Sequence, residues 1–465
     1  MHKGIKLSII YGLLGLGFIV FIHELGHFIA AKIFGVTVES FSVGMGPILL
    51  HKTIKGTDYR LSLIPLGGYC GMKGQKDFQV ALDEKLDSII GDKDSFYGIH
   101  PVKRAVIAFA GPFFNFLFAV FAFTIISMVG YSYYTSQNKI IVANEIYPEM
   151  ESVAAKTGLQ TGDKIIAIND NETPYFTDIY EAISVSANQE IDLKIQRNEQ
   201  IFDVKITPSL NKETGAGVLG IISWTDPLIE LVDENSPAQK AGLQVGDLIL
   251  KINDISIKNT VEYNKAIENL DKFSMTVLRD GQEIFIPEIE PKIVQNDKDE
   301  TSKNTTLGIG FHAEKVKTET YSFFPAILNG FKEAFNTTIL SFKSLALLFQ
   351  GVDLTKAVSG PLRITVMLGD TAKTGFSAGF STGIVTVFNF LAIISISLFI
   401  MNLLPIPILD GGLILFALIE AITKKQISPR IQYYVQFIGI AFILVLFVFA
   451  MFGDISYIIN LFKWF

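Results

Sequence analysis

The sequence predicts a multi-pass α-helical membrane protein with four transmembrane helices, a β-rich segment between the first two, and a duplicated α/β insertion between the second and third. Three observations carry this. Of its 465 residues, 49% are hydrophobic and the mean hydropathy is +0.39, above what an ordinary soluble domain holds. Four apolar runs reach the about 20 residues needed to cross a hydrocarbon core as helix. The longest polar stretch contains an internal repeat.

The first span lies in residues 1–34, apolar from 7 to 34. Lys3 and Lys6 ahead of an apolar run resemble the start of a signal peptide. The run is too long for one and contains His23, Glu24 and His27, so it is read as retained. Residues 35–103 form the next unit. Within it, 41–72 alternates apolar and polar positions between glycines, as in Tyr59-Arg60-Leu61-Ser62-Leu63, which predicts short strands; an ordinary hairpin is the plainer form of that reading. Residues 75–94 are polar and acid-rich and are expected to be a solvated loop. The second span occupies 104–131 behind Lys103 and Arg104, the third 376–412, the fourth 432–453. Residues 318–350 are amphipathic, with Lys332, Glu333 and Lys343 among aromatics and leucines, and are expected to lie on the membrane surface or to pack against the insertion. Lys424, Lys425 and Arg430 between the last two spans, and Lys52, Lys55, Arg60, Lys103 and Arg104 between the first two, assign both connections to the cytoplasm and the insertion to the other side.

The charge balance narrows the function. A net charge of −7, with no dense basic block, gives no footprint for nucleic acid. The single cysteine, Cys70, makes no intrachain disulfide and supplies no thiolate cluster, so a bound metal must use His and carboxylate ligands.

In the insertion, Ala154-Ala155-Lys156-Thr157-Gly158-Leu159-Gln160-Thr161-Gly162-Asp163 returns as Ala238-Gln239-Lys240-Ala241-Gly242-Leu243-Gln244-Val245-Gly246-Asp247. A short helix closed by Gly, a Gly-Asp turn and an alternating strand fit each copy. The copies, at 139–210 and 215–293, resemble PDZ domains, which bind extended peptides by adding a strand to a sheet edge. Two small α/β domains acting only as spacers remain the alternative.

His23-Glu24-Leu25-Gly26-His27 is an H-E-x-x-H pattern inside the first span. On a helix the two His share a face and can hold one metal ion, with the Glu beside it to take a proton from water. Such patterns arise by chance in soluble helices. In a span each ionisable side chain costs at least about 2.5 kcal/mol unless it serves a buried site. A tetrahedral catalytic zinc needs a third protein ligand and an open position, and Asp410 is the acid that another span offers. It follows Pro405 and Pro407, which end the third span, and precedes Gly411 and Gly412, which are expected to free the backbone there. A lone Asp before Gly-Gly is ordinarily a turn residue; irregular backbone at membrane depth makes it a candidate ligand.

These residues, with Asn402-Leu403-Leu404-Pro405-Ile406-Pro407-Ile408-Leu409-Asp410-Gly411, resemble the two signatures of the site-2 protease family. Gly44-Met45-Gly46-Pro47, Pro65-Leu66-Gly67-Gly68-Tyr69, Gly111-Pro112-Phe113-Phe114-Asn115 and Ser359-Gly360-Pro361 extend the likeness along nearly the whole chain. The double insertion is similar to the bacterial branch that cleaves membrane-bound anti-sigma factors and residual signal peptides. The resemblance implies Zn2+ held by His23, His27 and Asp410, Glu24 as general base, and Asn402 as a substrate-orienting or transition-state residue. It implies a membrane-associated β-sheet over 41–72 that unwinds a substrate helix. It further implies a single-span membrane protein as substrate, already trimmed outside, in a bacterial inner membrane. The family usually places His after Asp-Gly-Gly, where this chain has Leu413. Rival readings are a general signal-peptide remnant peptidase, a metal-binding PDZ scaffold, which Glu24 argues against, and a metal-permeation path, which needs more polar spans than the sequence shows.

Overall fold

Apolar runs in the sequence become helices because a chain in hydrocarbon must satisfy its own backbone. The computed structural model describes residues 2–295, 303–347, 350–353 and 359–463; Met1 and residues 348–349, within two of the expected segments, fall outside these. The long helices are α1 His2–Ile33, α2 Pro101–Val129, α3 Phe323–Leu347, α4 Pro361–Ser377, α5 Phe380–Leu403, α6 Asp410–Thr423 and α7 Pro429–Lys463. Four contain a stretch long and apolar enough to cross a membrane: Ile9–Ile33, Pro101–Val129, Phe380–Leu403 and Pro429–Ile455.

α2 is the central column. Pro101 opens it and the His100 ring accepts from the Val102 N–H. Its middle packs with α1 and α5 through Ile19, Phe118, Ala122, Leu391, Ala392 and Ile396. α3 lays a stripe of small residues on it: Ala326, Gly330, Ala334 and Thr338 are buried, and a Cβ on Gly330 would sit 2.7 Å from the Thr124 nitrogen. Where surface-lying helices are expected over 318–350, the described part is one helix docked on a span. α6 is tied to α2 by a buried ion pair, Arg104 Nη2 to Glu420 at 2.5 Å.

The third span does not run unbroken over 376–412: α4 ends at Ser377, Gly379 takes φ +136, and the chain restarts as a separate helix at Asp410. Gly and Pro at these points interrupt the i to i−4 ladder that continuous hydropathy suggested. Residues 75–94 are not simply a loop: Gln75–Asp83 is helical, with Ala81 and nearby Ile89 buried. Lys73 gathers the acids there, at 2.8 Å from Asp92 and 2.7 Å from Asp94, and their carboxylates raise its pKa above the usual lysine range.

Strands β1 Val38–Ile54 and β2 Thr57–Met72 each bend, giving four paired segments. Residues 40–43 lie between 68–71 on one side and 58–61 on the other, while 48–54 pair with 57–62. Gly44, at φ +87, lies where the bend brings its Cα close to the Ser62 carbonyl, which leaves no room for a side chain.

The insertion holds two copies of one plan. Strands Lys164–Ile168, Asn171–Glu172, Ile191–Arg197 and Gln200–Ile206 form one four-stranded sheet, and Leu248–Ile252, Ile255–Ser256, Phe273–Arg279 and Gln282–Ile289 form another in the same order. Each copy repeats the same lock. Arg197 grips Asp163 at 2.7 and 2.8 Å and the Gly158 carbonyl at 2.8 Å; Arg279 grips Asp247 at 2.6 and 2.7 Å and the Gly242 carbonyl at 2.8 Å. Each copy also reaches beyond its expected end. Ile140–Val142 pairs with Ile221–Ser223, and Ile229–Val232 with Ile309–Phe311, past the boundaries at 210 and 293. Such closing strands are non-local, so no periodicity in the sequence marks them.

Candidate metal centre

One turn of α1 separates His23 from His27, so both rings leave the same face. Their Nε2 atoms are 3.3 Å apart. Asp410, the first residue of α6, completes the group: its Oδ2 is 3.1 Å from His23 Nε2 and its Oδ1 3.4 Å from His27 Nε2. These three are the one such group of His, Cys, Asp and Glu among the described residues, with ligand atoms all within 4.8 Å. At the start of α6 the carboxylate also meets the positive end of a helix dipole.

α2 shapes this face from behind. The His27 Nδ1–H donates to the Ile107 carbonyl at 2.9 Å, which leaves Nε2 as the lone-pair nitrogen. Gly111, one turn on, has no side chain where a Cβ would overlap His27 Nε2 and come within 2.5 Å of Cε1. Another turn on, the fully buried Asn115 amide reaches His23 Nδ1 at 3.2 Å. Gly26 lets α1 approach the Ala110 carbonyl. The glycines after Asp410 serve close packing rather than unusual torsions: neither has a positive φ, and Cβ atoms there would lie 2.5 Å from the Leu403 and Ile406 carbonyl oxygens.

Asp410 Oδ2 is buried and has no hydrogen-bond partner among the described residues, although His23 Nε2 is 3.1 Å away. Two imidazole nitrogens at hydrogen-bonding distance from each other and a carboxylate with one unpartnered oxygen converge on one point, which suits a shared cation, and three protein donors leave a fourth position open. The residues fit zinc.

Glu24 stands beside this group and outside it. Its half-buried carboxylate accepts a hydrogen bond from the Cys70 backbone N–H, and its Cγ is 3.3 Å from where a Gly68 Cβ would sit. The outer segment of the sheet therefore lies against it. Burial, and then the Glu24 carboxylate, push the Cys70 thiol up to about 12, and its sulfur lies outside the group formed by His23, His27 and Asp410. Asn402 lies in the last turn of α5, half-buried, with no side-chain hydrogen bond to a described residue. Leu413 lines a small gap beside Arg104 and Glu420. Nothing in the local sequence pattern gives Ile107, Gly111 or Asn115 a role at the metal centre. A buried Asn in an apolar span was the available signal.

Along its length the chain is similar to known metalloproteases. The chain is 40% identical over 98% of its length to the whole of a "Putative zinc metalloprotease" of Treponema pallidum. It is 32% identical over 95% of its length to 97% of a "Regulator of sigma E protease" of Haemophilus influenzae, and 30% identical over 97% to 99% of the "Regulator of sigma-E protease RseP" of Salmonella typhimurium. The description of peptidase family M50 matches residues 11–446, almost the entire chain, and the chain belongs to that family.

Proposed function

We propose that the chain is an intramembrane zinc metalloprotease that hydrolyses a peptide bond within a membrane-spanning segment, with His23, His27 and Asp410 as ligands. The observation that carries this is the Asp410 carboxylate, one oxygen of it without a hydrogen-bond partner among the described residues, facing two imidazoles, with a second carboxylate free of the group at its side. Bound zinc would act as Lewis acid toward the scissile carbonyl and make water acidic. Glu24 accepts a proton from the attacking water and returns it to the departing amine, a role open to it because it is not a ligand. Asn402 supplies an amide to orient the substrate or stabilise the developing oxyanion. The sheet segment 67–71 beside Glu24 receives the substrate as an added strand, which both extends a helix and satisfies its polar groups.

The relatives named for sigma-E regulation support a place in envelope stress signalling, as the second cut on an anti-sigma factor already trimmed outside; removal of signal-peptide remnants uses the same chemistry. The duplicated modules are read as PDZ domains on the outer side of a bacterial inner membrane, filtering substrates by size, with the metal toward the cytoplasm. The test is cleavage of a tagged, pre-trimmed single-span substrate in detergent by wild type and Glu24→Gln, with zinc content measured on both. Loss of cleavage with zinc retained is expected. Equal activity removes Glu24 as base.

A further inference from the structure

Both candidate histidine ligands are held from behind by α2, but the two holds differ in polarity. The Ile107 carbonyl only accepts, so His27 must donate from Nδ1 and offer Nε2 as a lone pair. The Asn115 amide can do either. With its nitrogen toward His23 Nδ1 at 3.2 Å, that ring nitrogen accepts, and neutral His23 carries its proton on Nε2. The proton then sits on the atom that faces His27 and Asp410. The same orientation leaves Asn115 Oδ1 buried with no hydrogen-bond partner, in a residue with 0% exposure. A half-turn of the amide brings Oδ1 to the ring. His23 Nδ1–H then donates to it and Nε2 is released.

We propose that Asn115 is the positioning residue for His23: its amide oxygen accepts from Nδ1–H, fixing the tautomer and ring plane in which Nε2 binds zinc. This rests on the reading of His23 as a zinc ligand. Asn115 is itself set by a third helix, since the Ser395 hydroxyl of α5 donates to its backbone carbonyl at 2.9 Å. Ile107, Gly111 and Asn115 thus form one stripe at four-residue spacing on α2: an acceptor for one ligand, room for its ring, and an acceptor for the other.

The experiment uses the full chain in detergent and measures zinc affinity by chelator competition, with thermal unfolding of the zinc-free protein alongside. Asn115→Leu removes the acceptor at similar volume and is expected to weaken zinc binding by about 10- to 100-fold, the usual effect of losing such a partner, with zinc-free unfolding unchanged. Asn115→Asp keeps an acceptor, loses the donor, and is expected to hold zinc as wild type does. Asn115→Ala replaces the Leu variant if that protein does not fold. Wild-type zinc affinity in Asn115→Leu or Asn115→Ala overturns the proposal, as does an Asp variant that falls as far as Leu. His23→Ala, run in parallel, separates the two readings: if it too keeps its zinc, the ligand assignment is what has failed.

Discussion

Gly111 shows how much of the site depends on a single missing atom. A methyl group there would overlap His27 Nε2, the nitrogen the site needs free, and the α2 backbone that carries it is packed on three sides. Gly111→Ala must therefore turn the His27 ring or push α1 away. A displacement of about 1 Å at a reacting centre costs about 100-fold in rate. The expected result is a fall in cleavage of that order together with reduced zinc content, measured on protein that still elutes as the wild type does from size exclusion; full zinc occupancy with full activity would refute it. At this scale the sequence was informative wherever chemistry and local spacing coincide. His23, Glu24 and His27 are legible because four residues make one helical turn. Asp410 is legible only through the demand for a third ligand. The roles of Ile107 and Gly111 were not legible, since one acts through its backbone and the other through the absence of a side chain.

Helices hold one another here through their ends as well as their flanks. Asp454 of α7 is fully buried, and its carboxylate accepts from the Gly360 N–H at 2.8 Å and the Leu362 N–H at 3.0 Å, so it caps the start of α4 from another helix. Gly360 leaves room for it, which gives Ser359-Gly360-Pro361 a physical reason. Asp454→Ala strips two buried donors of their acceptor, a loss of about 1–3 kcal/mol for each group left unsatisfied. A lower unfolding temperature in detergent is expected, with partial recovery in Asp454→Asn, which keeps one acceptor oxygen; an unchanged temperature in the Ala variant would show that the cap contributes nothing. Hydropathy located all four spans but could not divide α4 from α5 or show α6 as a helix of its own. Hydropathy averages over a window, whereas Gly379, Pro405 and Pro407 act at single positions.

Over the whole chain, the duplicated insertion is separate in sequence from the residues gathered at the metal centre, so damage to one should spare the other. The sequence showed the repeat through its Gly-Asp turns, yet the lock that each turn forms became visible only once Arg197 and Arg279 were seen to return across the sheet. Asp163 and Asp247 have 1% and 0% side-chain exposure, so each is a buried charge with one guanidinium to balance it. Removing one partner of such a pair costs about 3–5 kcal/mol. Arg279→Ala should therefore loosen the second copy alone. The copies have separate cores, one around Ile165, Ile179 and Leu193 and the other around Ile249, Tyr263 and Val277, and effects at distant sites add independently. Limited proteolysis of the full chain should show new cuts within 229–311 for Arg279→Ala and within 140–223 for Arg197→Ala, with zinc content unchanged in both. New cuts in both copies from either substitution would make the two copies one unit; release of the metal would make the insertion and the membrane helices one cooperative unit, and a filter that acts apart from the catalytic centre would no longer be tenable.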